Sequence, residues 1–192
     1  MPNLEFEKKN FLTYNLYKMK TQPLLFYLLF ALSLFLLFSC QDTQKKQDLL
    51  SYQQSEVRAS ENAEVVKKSF ELLDDLDMEA YTELLEPDHK IYMGSSKESI
   101  KFSEITPFIQ SVYNSIPDYK HTINNIIATD NYVVTQIQLS GTHTKVYGEF
   151  EATSNRIDYA GVFIFKMVEN KISEIWVLED NLTRDSQLGF SL

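Results

Sequence analysis

Residues 119–142, YKHTINNIIATDNYVVTQIQLSGT, decide the architecture of this chain. Two β-rich runs, Tyr119–Ala128 and Tyr132–Thr142, flank Thr129-Asp130-Asn131, a hairpin-like turn. A second pair of runs, Ile157–Val168 and Lys171–Leu178, surrounds Glu169-Asn170. Upstream of Pro117 the apolar spacing is three to four rather than two. Ala63, Val66, Phe70 and Leu73 make one helical stripe; Met78, Tyr81, Leu84 and Leu85 make a second, capped by Asp77 and ended by Pro87. A third helix begins near Ser103 or Thr106, with Pro107 in its first turn and Phe108, Ile109, Val112 and Ile116 on its apolar face. A short strand at Lys90–Met93 precedes it. Helices first and long antiparallel hairpins afterwards predict an α+β fold, a curved sheet with helices packed on one face.

The N-terminal forty residues carry a different message. An apolar run, Leu24–Phe38, leads through Ser39 to Cys40, the chain's single cysteine. That run is long for a signal-peptide core and short of the ~20 residues of a spanning helix. Leu37-Phe38-Ser39-Cys40 resembles the lipobox of bacterial lipoproteins, which implies a palmitate-type acylated Cys40 as the mature N-terminus, a membrane as partner and the cell envelope as location. Residues 1–18 hold Glu5 and Glu7 and make a poor leader, whereas Met19-Lys20-Thr21 makes a compact positive one, so Met19 is the expected start. The expected organisation is a signal segment over 1–40, a Gln- and Ser-rich tether over 41–60 and one domain over 61–192.

Four of the 18 Lys and Arg and two of the 27 Asp and Glu precede Cys40, which leaves the remainder with a net charge of −11. Such an acidic surface excludes nucleic acid as a partner and offers no electrostatic grip on anionic lipid. His89, His121 and His143 are scattered without metal-ligand spacing, and no phosphate loop or nucleophile elbow is present. No cofactor is expected. The two later histidines read as partly exposed strand positions that could meet across the sheet.

Several segments together resemble one family. Ser115-Ile-Pro-Asp118, Ile126–Asp130, Gly141-Thr-His143, Lys171–Trp176, Asp180 and Gln187-Leu-Gly189 look like the SnoaL-like polyketide cyclase and ester cyclase relatives of the nuclear transport factor 2-like superfamily. The resemblance covers Asn62–Phe190. It implies a cone, in which a strongly curved antiparallel sheet is wrapped around three N-terminal helices with an apolar pocket at the open end, and, in many relatives, a homodimer formed through the outer sheet face. It also implies a catalytic aspartate six residues after the lysine of the last turn. Counting from Lys171 lands on Val177, which cannot move a proton.

The inward stripe reads Phe163, Phe165, Ile175 and Val177, with Tyr113 from the third helix completing the ligand pocket. Glu179 shares the facing of Val177 and is one remaining catalytic candidate. Asp180 is the other, although it suits an N-cap of a terminal helix Leu182–Leu188 better. Three functions follow: a small apolar ligand bound without cyclase chemistry, a cyclase, isomerase or hydrolase using Glu179 or Asp180, or a dimerising structural domain. Replacing Cys40 by Ser should abolish labelled fatty-acid incorporation and release the chain from membranes. Removing the Met1 codon should leave translation intact, and loss of the product on that change would refute the Met19 start.

Overall fold

The computed structural model describes Tyr27, residues 44–148 and residues 150–189; Cys40, Met19 and all of the Leu24–Phe38 run except Tyr27 lie outside the described residues. The chain divides into two units, Met1–Tyr52 and Gln53–Leu192. In the first, residues 44–52 are helical, with Gln44 Nε2 donating to Asp48. Among the described residues no helix is long and apolar enough to cross a membrane.

The second unit contains helix α1 (53–74), helix α2 (Met78–Glu83), strand β1 (Leu85–Met93), helix α3 (Phe102–Ser115), strands β2 (Lys120–Ala128), β3 (Tyr132–Thr142), β4 (Arg156–Val168) and β5 (Lys171–Glu179), and helix α4 (Asn181–Leu188). The sheet order is β1-β5-β4-β3-β2, and the sheet is curved and unclosed. An extra residue in β2, Asn124, and another in β5, Ser173 opposite the Lys166–Met167 step of β4, interrupt the register and bend the strands. Strict alternation places Val133, Thr135, Ile137 and Leu139 of β3 inside, opposite the inward residues of β4 from Ile157 to Met167. Val66 and Phe70 of α1 and Tyr81 of α2 close the core from the helical side. On the opposite sheet face Tyr92 stacks on Trp176, and Lys166 pairs with Glu174 at 2.7 Å.

The structure corrects four expectations. The sheet is not wholly antiparallel, because β1 runs parallel to β5 at one edge. β1 also starts earlier than Lys90: Pro87, which lacks a ladder donor, lies in the irregular stretch between Leu85 and Lys90 and is tolerated there. Pro87 consequently does not end α2, which stops at Glu83. Helix α3 opens at Phe102, so Pro107 sits inside it rather than in its first turn. Its start is pinned from outside and from within: the Phe102 N–H donates to His89 Nε2 of β1, while the Lys101 N–H donates to Glu104 of the helix's own first turn.

One glycine is demanded by close approach. A Cβ on Gly141 would lie 2.3 Å from Ile116 Cγ2 and 3.1 Å from the Tyr119 Cα, where α3 passes into β2. Gly141→Ala should destabilise the folded chain by about 1–3 kcal/mol, read from chemical denaturation. Gly161→Ala, whose nearest contacts are side-chain carbons from 3.1 Å, should cost less.

Candidate functional site

Inward-facing side chains and helix residues enclose a cavity of about 100 Å³ between α3 and the sheet. It opens beside a mouth of about 260 Å³ with which it shares Met93, Phe108, Val177, Glu179 and Arg184. Most of the wall is hydrocarbon. Phe163, Ile175 and Val177 of the strands and Tyr113 of α3 are on its wall, whereas Phe165 is not. Phe165 is only 1 % exposed but packs edge-on against Phe70 at 5.8 Å, beneath the cavity floor.

The polar groups on this wall arrive from four directions. Asp74 ends α1, and its Oδ1 accepts from His121 Nδ1 at 2.7 Å and from the Tyr113 hydroxyl at 2.9 Å. The His121 backbone N–H also donates to both Asp74 oxygens, at 3.2 and 3.3 Å. An acceptor carboxylate against Nδ1 assigns a proton to that nitrogen, so that in the neutral ring Nε2 carries the lone pair. The His121 ring lines the cavity with its side chain only 7 % exposed, and Nε2 makes no hydrogen bond among the described residues. Phe70, Tyr119 and Phe163 pack around the ring at 5.2, 5.5 and 6.4 Å.

A second polar chain begins beside the His121 ring. The Tyr119 and Tyr159 hydroxyls lie 2.5 Å apart, and Tyr159 donates to Glu179 Oε2 at 3.3 Å. Arg184 of α4 approaches the same carboxylate at 3.9 Å while bonding Asp185 at 2.9 Å. Burial pushes the Glu179 carboxyl above the usual range, against partial opposition from Arg184, His121 and the Tyr159 bond. Burial likewise lifts both phenols, and Tyr119 and Tyr159 then depend on each other for hydrogen bonds.

Asp180 is elsewhere. Its carboxylate accepts from the Thr183 N–H at 3.0 Å and the Thr183 hydroxyl at 2.7 Å, capping α4 on the exposed surface. Those bonds hold its carboxyl below the ordinary value. Asp118 binds the Thr142 N–H and hydroxyl, tying the start of β2 to the end of β3.

The histidines depart from expectation. His143 is fully buried and bonds Thr153, and His89 spends both ring nitrogens on the Glu86 carbonyl and the Phe102 N–H. Of the three only His121 faces the cavity. Among the described residues no cluster of three metal-ligating side chains occurs. Sequence reasoning missed Asp74 and Tyr119, because Asp74 sits 47 residues from His121 and reads locally as part of a helix end.

Comparison with known proteins now fits this geometry. The profile of the SnoaL-like polyketide cyclases matches residues 63–188. The chain belongs to that family. Similar solved structures include AclR, a proposed hydroxylase of Streptomyces galilaeus, at 17 % identity and TM-score 0.62, covering 68 % of this chain and 97 % of that one. A proposed SnoaL-like polyketide cyclase from a Jannaschia species shows 16 % identity and TM-score 0.62 over 70 % of this chain and 95 % of that one. IdmH of Streptomyces antibioticus, a proposed polyketide cyclase, shows 22 % identity and TM-score 0.60 over 67 % and 98 %. At these identities the likeness establishes the fold. No curated protein matches the chain.

The raised Glu179 has a consequence for this SnoaL-like domain's stability. The unfolded carboxyl ionises near 4.5, before the folded one, so stability attached to this group is present at low pH and falls as pH rises past that value. Glu179→Gln should therefore raise the melting temperature relative to wild type at pH 8, with the difference closing at pH 4.

Proposed function

We propose that this domain is an acid–base enzyme acting on a small, largely apolar, enolisable carbonyl compound. The observation that carries this reading is the Asp74–His121 pair, which ties one imidazole nitrogen to a carboxylate and leaves the ring on the wall of an apolar cavity. A neutral imidazole so held can act as a general base through its other nitrogen. His121 Nε2 would take a proton from the carbon beside the carbonyl. Asp74 would hold the ring in its tautomer and stabilise the imidazolium that forms. Glu179, whose carboxyl burial raises above the usual range, would supply the opposing acid.

The aspartate expected on the last strand is absent, since Val177 stands there, and the base in this reading comes from α1 and β2 instead. An enolate generated in this way can be reprotonated, giving isomerisation, or can attack a second carbonyl, giving ring closure. The family's polyketide cyclase description suits the second outcome. The cavity and its mouth, about 100 and 260 Å³, suit a molecule of one or two rings.

A carrier that merely holds an apolar ligand is the alternative, and the hydrocarbon wall favours it. Either activity would be displayed in the cell envelope if Cys40 carries lipid, the arrangement tested by Cys40→Ser.

Hydrogen–deuterium exchange of cyclohexanone and 1-indanone, followed by NMR with the full chain in heavy water, separates these readings. The enzyme reading expects exchange above the buffer rate that falls about 10²-fold in His121→Gln and in Asp74→Asn. Absence of catalysed exchange with both ketones bound would establish the carrier instead.

A further inference from the structure

The Tyr119–Tyr159–Glu179 chain contains more acid–base capacity than a general base requires. Tyr119 is 8 % exposed and Tyr159 is 2 % exposed, yet both rings line the cavity. Their hydroxyls meet at 2.5 Å, and Tyr159 continues to the Glu179 carboxyl at 3.3 Å, at the boundary between cavity and mouth. Tyr119 also lies edge-on to the His121 ring, with centroids 5.5 Å apart, and edge-on to Tyr113 at 5.3 Å. The far end of the chain therefore stands beside the candidate base.

Proton counting decides what this chain can do. Two phenols and an ionised carboxylate hold two protons. With those aligned toward Glu179, Tyr119 donates to Tyr159, Tyr159 donates to the carboxylate, and the Tyr119 oxygen has no proton for the cavity. A protonated Glu179 supplies a third proton and permits the reverse order. Glu179 then donates to Tyr159, Tyr159 to Tyr119, and Tyr119 offers its O–H to a ligand oxygen.

We infer that Tyr119 is a further catalytic residue, donating to the substrate's carbonyl oxygen and recharged from Glu179 through Tyr159. This inference rests on the acid–base reading above. As His121 Nε2 takes the carbon-bound proton, the C–H electron pair moves into the new carbon–carbon double bond and the carbonyl pair onto oxygen. Tyr119 passes its proton to that oxygen, takes one from Tyr159, and Tyr159 takes one from Glu179. The products of the step are an enol, an imidazolium and the Glu179 carboxylate. Glu179 is the reservoir; it need not touch substrate. The charged and titratable groups facing it are Arg184 of α4, Tyr159 of β4, His121 of β2 and Tyr147 of the β3–β4 connection.

The test uses 4-nitrophenolate, whose phenolic oxygen stands in for the enolate oxygen, with 4-nitrotoluene as a control lacking it. Titrations with the full chain at pH 8 should show 4-nitrophenolate binding at least tenfold tighter than 4-nitrotoluene and accompanied by proton uptake. Tyr119→Phe should weaken the phenolate at least tenfold and Tyr159→Phe at least threefold, with 4-nitrotoluene affinity held within about twofold. Glu179→Gln should abolish the proton uptake while retaining phenolate binding, because the amide N–H donates to Tyr159 permanently.

Equal phenolate affinity in Tyr119→Phe and wild type, no preference over 4-nitrotoluene, or unchanged proton uptake in Glu179→Gln would overturn the inference. If Tyr119→Phe does not fold, Tyr159→Phe decides. Ketone exchange that depends on His121 but not on Tyr119 would remove the relay alone. Phenolate binding that depends on Tyr119, without His121-dependent exchange, would remove the base alone.

Discussion

A carboxylate at the end of α1 grips an imidazole at the start of β2, and the cavity depends on that grip. Asp74 accepts from the His121 ring, from the His121 backbone and from the Tyr113 hydroxyl of α3. Three elements are thereby joined at one pair of oxygens. A carboxylate in this position must be satisfied, because leaving it bare in an apolar surround would cost on the order of several kcal/mol. The same bonds orient the ring. A structural requirement for polar satisfaction thus fixes the imidazole on the wall of an otherwise oily chamber.

The domain keeps its two sets of ionisable groups on different elements and in different surroundings. Asp74 and His121 are locked to each other, and Glu179 stands near the mouth where burial resists its ionisation and Arg184 relieves part of that resistance. Opposed environments are what allow a base and an acid to coexist at one pH. Val177 interrupts the position where the family resemblance places an aspartate, and it contributes only hydrocarbon to the wall. The ionisable groups that do face the chamber include Tyr113 of α3, His121 of β2, Tyr159 of β4, Glu179 at the end of β5 and Arg184 of α4.

The hairpins were legible because their signal is local. Period-two alternation over Tyr132–Thr142 fixed which face of β3 is buried, and the turn at Thr129–Asn131 fixed its neighbour. Counting inward positions along β4 and β5 likewise brought Phe163 and Val177 to the cavity. The count could not separate Phe165 from them, because inward on a curved sheet means either chamber or floor. What fills the floor is Phe70, a helical residue. The parallel pairing of β1 with β5 was hidden for a related reason: 86 residues separate Leu85 from its partner Ile172, so no turn chemistry records it.

By itself, the sequence determined the α+β class, the order of hairpins, the caps at Asp77 and Asp180, and the replacement of an acid by Val177. Each of these depends on residues within a few positions of one another, where backbone geometry dictates the outcome. Only the tertiary structure decided that Asp74 meets His121 and that Tyr119 meets Tyr159, across 47 and 40 residues. A single histidine in a strand has no period or spacing to mark it. Its chemistry is conferred by whatever carboxylate the packing of a helix brings to its other nitrogen.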